Sequence, residues 1–133
     1  MRVFVDTNIF LDMLQKRENY ISAKKIMDLV SDENFKFFVA DITLINIDYV
    51  AKKQVFNIRK FLKYINDNFT VLGADNKSFN NALNTENRDL EDNLQYCLAL
   101  QQGCDCIVTN DKTFLKKDID IISSEDFVVK YLN

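Results

Sequence analysis

The sequence predicts an α/β domain in which a central parallel sheet of four to five strands is covered on both faces by helices. Two observations carry this. Short runs rich in β-branched and aromatic residues alternate with stretches whose apolar residues recur every three or four positions. Strands that alternate with helices in this way form right-handed βαβ units and a parallel sheet. The chain has 133 residues, the length of one ordinary domain with a real core, so residues 1–133 are read as a single domain.

The elements follow in order. "RVFV" (2–5) suits a short buried strand, and helices are expected over 8–17 and 20–32. "FKFFVA" (35–40) is a second strand, and Asp41 is placed to cap a helix over 42–53. A further helix over 55–67 carries Val55, Ile58, Phe61, Leu62 and Ile65 at helical steps. "FTVLGA" (69–74) is a third strand, followed by a helix over 76–86 capped by Asp75. Asp89 is placed to cap a helix running to residue 102, where Gly103 ends it. Cys106 to Thr109 form a fourth strand, "IDII" (119–122) a fifth, and a last helix begins at Ser124.

Composition removes several chemistries. There is no His, which excludes imidazole bases, Ser-His-Asp triads and His-containing metal sites. Cys97, Cys104 and Cys106 match neither a zinc motif nor a CxxC redox pair and read as reduced thiols without chemistry. The net charge of -3 is not that of a general nucleic-acid coat, so any contact with nucleic acid needs a local basic patch. No apolar run is long enough to span a membrane, and Asp6 breaks the N-terminal run before a signal sequence could form; a cytoplasmic protein is expected. No Gly-rich phosphate loop exists, which disfavours nucleotide-binding folds. A phosphatase of the haloacid-dehalogenase type needs a second Asp where Asn8 stands, and the order of acids fits a receiver domain poorly.

Acids fall where a parallel sheet places its sites. Asp6 ends the first strand and Asp111 follows the fourth, so both lie at the carboxyl edge. Asp92 sits in the first turn of the helix that feeds the fourth strand, off the stripe formed by Leu90, Leu94, Cys97 and Leu98, and need not be buried. Three clustered carboxylates repel unless a cation neutralises them, and magnesium or manganese does so through oxygen ligands alone. Each acid also has an ordinary use: Asp6 as a helix cap, Asp92 as a complement to the helix dipole beside Glu91, and Asp111 as a turn residue.

"VFVDTNIFLDML" (3–14) resembles the opening motif of PIN-domain ribonucleases, including the VapC-like toxins of toxin–antitoxin modules. "DLEDNLQYCLALQQGCDCIVTNDKTF" (89–114) resembles the family's second half, and the likeness in pattern runs through "SSEDFVVKYL" (123–132). The resemblance implies a PIN-like three-layer α/β/α domain and a metal-dependent endoribonuclease. Asp6, Asp92 and Asp111 match the family's catalytic, metal-binding acids, for Mg2+ or Mn2+, with Thr7, Asn8 and Thr109 as supporting residues. It also implies a homodimer and a cognate antitoxin protein. One position departs: Asn46 stands where the family usually has a further Glu, and Asp48 points about 160° away on the same helix. Asn46 could coordinate through its carbonyl oxygen or be an ordinary hydrogen-bonded helix residue. Glu91 is the remaining acid, either at the pocket rim or complementing the helix dipole. The departure keeps a second reading open, a non-catalytic or weakly active module that binds RNA or protein.

Lys52, Lys53, Arg59, Lys60 and Lys63 form a basic strip that suits an RNA backbone, or is simply a solvated helix face.

Overall fold

A computed structural model describes residues 1–132. The first strand, β1 (Arg2–Val5), leads into α1 (Thr7–Leu14) and α2 (Tyr20–Met27), which is extended by one 3-10 turn over Asp28–Ser31. Then come β2 (Lys36–Ala40), α3 (Asp41–Ala51), α4 (Ile58–Asn68), β3 (Thr70–Leu72) and α5 (Asn76–Leu83). The chain finishes with α6 (Leu90–Gln101), β4 (Cys106–Val108), β5 (Asp120–Ile122) and α7 (Ser124–Leu132).

All five strands are parallel, in the order β3-β2-β1-β4-β5. Successive side chains of a strand face opposite ways, and the two cores follow from that alternation. Val3 and Val5, with Phe37, Val39, Cys106 and Val108, pack under α1, α2, α3, α4 and α7. Phe4, in register with Phe38 and Ile107, packs with both of them under α5 and α6 on the other face. The result is the expected three-layer α/β/α arrangement. Strands apolar on both faces are what a sheet buried on both sides requires.

The structure sets several element ends differently. The first helix stops at Leu14 because Lys16 takes a left-handed backbone (φ 49°), and α4 starts only after Asn57 does the same (φ 56°). Asp75 and Asp89 cap α5 and α6 as expected, each accepting from the backbone N–H three residues on. Gly103 follows α6 at φ 67°. Among the described residues no helix is long and apolar enough to cross a membrane. All three cysteines are free and buried, and burial pushes the thiols up, to about 11 at Cys104 and about 12 at Cys106.

Candidate functional site

Strand order places the site. The chain winds outward from β1 to β2 and β3, then crosses to the other side of β1 to lay down β4 and β5. The direction reverses between β1 and β4, and a crevice opens outside the carboxyl ends of strands at such a point. Asp6 directly follows β1, and Thr109, Asn110 and Asp111 directly follow β4. The first turn of α6 adds Asp89, Glu91 and Asp92, and α3, which starts where β2 ends, adds Thr43 and Asn46.

Asp6 is held by four donors. Its Oδ1 accepts from the Thr7 N–H at 2.7 Å and from Gln95 Nε2 at 2.9 Å. Its Oδ2 accepts from Thr109 Oγ1 at 2.7 Å and Asn8 Nδ2 at 3.0 Å. Asp6 also caps α1, the ordinary use expected of it. Burial pushes its carboxyl above the usual value, the bonds from Thr109, Gln95 and Thr7 pull it back, and the Asp111 charge adds to the rise. Thr7, Asn8 and Thr109 thus all donate to the Asp6 carboxylate. Asn8 also donates to Thr109 Oγ1 at 3.1 Å and accepts from the Asn110 N–H at 3.1 Å, which ties the β1 and β4 tips together. Asp12, buried one turn further along α1, accepts from Asn110 Nδ2 at 2.8 Å and fixes the same turn.

Asp92 is buried at 6 % exposure, against the expectation that it need not be. Leu90 is the exposed residue instead, because α6 from Asp92 to Ala99 is covered nearly all round. Burial, and then the charges of Asp6, Asp89, Asp111 and Glu91, push the Asp92 carboxyl up to about 7. Its Oδ2 is buried with no hydrogen-bond partner, as is Gln95 Oε1. One oxygen each from Asp89, Asp92 and Asp111 lie within 4.8 Å of one another. The third member of that group is therefore Asp89 and not Asp6, whose charge still bears on Asp92. Asp89 reads from the sequence only as a cap, yet capping is what delivers it: its Oδ1 accepts from the Asp92 N–H at 3.0 Å. Asp111 likewise serves its turn, accepting from Thr113 N–H and Oγ1 through one oxygen.

Among the described residues no Lys or Arg pairs with any of these acids. An unpartnered buried carboxylate oxygen costs free energy, on the order of 1–3 kcal/mol for an unmet polar group and more for a charged one. A cluster of oxygens without imidazole or thiolate fits a hard divalent ion.

Glu91 lies at the rim, half-buried, where its Oε1 accepts from Asn46 Nδ2 at 2.7 Å and from Thr7 Oγ1 at 3.4 Å. Burial raises its carboxyl, against the Asn46 bond. Lys52, Lys53, Arg59, Lys60 and Lys63 are all exposed at the far end of α3 and on α4, and Lys63 pairs with Asp67 at 3.1 Å. Lys112 and Lys116, which the strip did not include, line a cavity of about 620 Å³ with Thr109 and Asp111.

The profile of the PIN domain family matches residues 2–113. The chain belongs to the PIN domain family. This PIN domain is 27% identical to Ribonuclease VapC1 of Aquifex aeolicus over 146 aligned positions, covering 98% of this chain and 95% of that protein. Two solved structures share its fold. A toxin–antitoxin complex from Klebsiella pneumoniae has a TM-score of 0.71 at 15% identity, covering 92% of this chain and 97% of that one. VapC20 of Mycobacterium tuberculosis, described as a sarcin-ricin loop cleaving toxin, has a TM-score of 0.64 at 12% identity, covering 84% and 92%.

Proposed function

We propose that this PIN domain is a divalent-cation-dependent endoribonuclease that hydrolyses RNA phosphodiester bonds, and that it is the toxin of a toxin–antitoxin pair, acting as a homodimer. One observation carries the catalytic part: Asp92 buries an unpartnered carboxylate oxygen, its carboxylate lies within reach of Asp89 and Asp111, and among the described residues no Lys or Arg pairs with the three. Full-length similarity to a ribonuclease supports the substrate class. The shared fold with a chain of a toxin–antitoxin complex supports the partner.

Magnesium or manganese suits the donor set. Asp92, Asp111 and Asp89 would hold the ion, and Asp6 would add its charge nearby. Such an ion supplies Lewis acidity for attack of water on a phosphodiester. The chain's own contribution is orientation. Thr7, Asn8, Gln95 and Thr109 fix the Asp6 carboxylate, and the Asp111 N–H, donating to Thr109 Oγ1 at 3.1 Å, fixes the turn that carries the acid at the β4 tip. RNA has the basic strip of Lys52, Lys53, Arg59, Lys60 and Lys63 to meet, and Lys112 and Lys116 beside Asp111 in a cavity that Glu18, Glu125 and Asp126 also line. Ile45, Tyr49 and Phe56, exposed on α3 and in the turn after it, give a protein partner apolar surface to cover.

Asp92→Asn and Asp111→Asn should each lower manganese-stimulated cleavage of single-stranded RNA about 100-fold or more. Undiminished cleavage by both variants would overturn the assignment. Failure of the wild-type protein to bind manganese by calorimetry at millimolar ion would favour the non-catalytic binding module.

A further inference from the structure

The side chains of Asn46 and Glu91 meet across the top of the sheet. Asn46 comes from α3 in one helical layer and Glu91 from α6 in the other. The Asn46 amide is turned so that Nδ2 donates to Glu91 Oε1 at 2.7 Å, the same oxygen that Thr7 Oγ1 reaches at 3.4 Å. Thr7 Oγ1 is itself fixed at 2.8 Å from Thr43 Oγ1, one turn before Asn46 on α3. One Glu91 oxygen is thus gripped by two neutral donors. Among the described residues no donor reaches the other, and no Lys or Arg neutralises the group.

Neutral donors orient a carboxylate without cancelling its charge. Glu91 is held half-buried in the same first turn as Asp92, and the Thr7 that donates to it through Oγ1 also donates its N–H to Asp6, so like charges surround it. An acid held against repulsion needs a cation nearby, and an independent feature points to one: the adjacent Asp92, 6 % exposed, buries an Oδ2 with no partner, and one of its carboxylate oxygens lies within 4.8 Å of oxygens of Asp89 and Asp111.

We infer that Glu91 is a further charged carboxylate of the cation centre, beside Asp6, Asp89, Asp92 and Asp111, and that Asn46, with Thr7, is its positioning residue. The acid missing from position 46 is then supplied from α6, and the amide at 46 serves to aim it. This rests on the cation-dependent reading above.

The test is calorimetric titration of manganese into the full chain, on wild type, Glu91→Gln, Asn46→Ala, Thr7→Val and the Glu91→Gln/Asn46→Ala double variant. Glu91→Gln should weaken manganese binding by more than about tenfold and Asn46→Ala by roughly tenfold. The double variant should bind no more weakly than Glu91→Gln alone, because Asn46 acts only through Glu91. Thr7→Val, which leaves the amide in place, should give a smaller loss than Asn46→Ala. Wild-type affinity in Glu91→Gln, or a loss from Asn46→Ala that persists when Glu91 is already changed, would overturn the inference. Asp92→Asn separates the two levels: if it abolishes binding while Glu91→Gln does not weaken it, the cation centre stands and only the role of Glu91 falls. If wild type binds no manganese, both fall.

Discussion

At Asp92, burial and four neighbouring carboxylates all disfavour the charged form, and nothing on the chain compensates. The consequence for stability has a definite sign. The folded value of about 7 lies above the ordinary 3.8, so between these two the folded chain binds more protons than the unfolded one. This group therefore favours folding below about pH 4, and that contribution is lost as the pH rises towards 7. Asp92→Asn should raise the melting temperature of the metal-free protein near pH 8, by roughly 1 kcal/mol or more of stability, and should give little gain near pH 4. Thermal melts at the two pH values check this, and equal gains at both would contradict it. Asp6 shows the opposite solution to burial, since its four acceptor positions are filled by Thr7, Asn8, Gln95 and Thr109. Gln95 carries no marker in the sequence, because a single polar residue on an apolar helix face is not distinguishable from a solvated one by spacing.

At the scale of the element, α6 does the most to build the edge. Its cap, Asp89, its first-turn acids, Glu91 and Asp92, and Gln95 one turn later all face the crevice from one short segment. Capping and cation binding are separable by comparison with α5, whose cap, Asp75, makes the same type of bond away from the site. Asp75→Ala and Asp89→Ala should each cost about 1 kcal/mol of stability, the usual loss for a carboxylate cap. Only Asp89→Ala should also weaken manganese binding. Melts paired with calorimetry on both variants test this, and equal manganese affinities would confine Asp89 to capping. The caps at Asp75 and Asp89 were legible from residue type and position, as was the stop at Gly103. The end of α1 and the start of α4 were not, because Lys16 and Asn57 adopt left-handed backbones that their residue types do not demand.

At the scale of the whole molecule, an RNA strand that reaches Asp111 and the basic strip must run from the carboxyl edge along α3 to its far end, roughly 16 Å for an eleven-residue helix. In an Asp111→Asn background, where the strand is kept intact, Lys52→Glu with Lys60→Glu should weaken binding of single-stranded RNA at low salt. The slope of log affinity against log salt should fall by about 0.7 for each phosphate that is no longer neutralised. An unchanged affinity and slope would leave Lys112 and Lys116 as the basic residues that meet RNA. The sequence by itself determined the parallel α/β class, the strand segments and the placing of Asp6 and Asp111 on one edge, because period and strand ends are local properties of the chain. It did not reveal the order β3-β2-β1-β4-β5, which sets β4 beside β1 and brings α6 over the tip of β1. Only that arrangement made Asp89 a neighbour of Asp111, filled the four acceptor positions of Asp6, left Asp92 Oδ2 without a partner and turned Asn46 towards Glu91. The physical reason is that a hydrogen bond or a charge contact is fixed by distance in space: residues 6 and 111 are brought to one edge by the pairing of β1 with β4, and residues 46 and 91 meet only when the two helical layers close over the sheet.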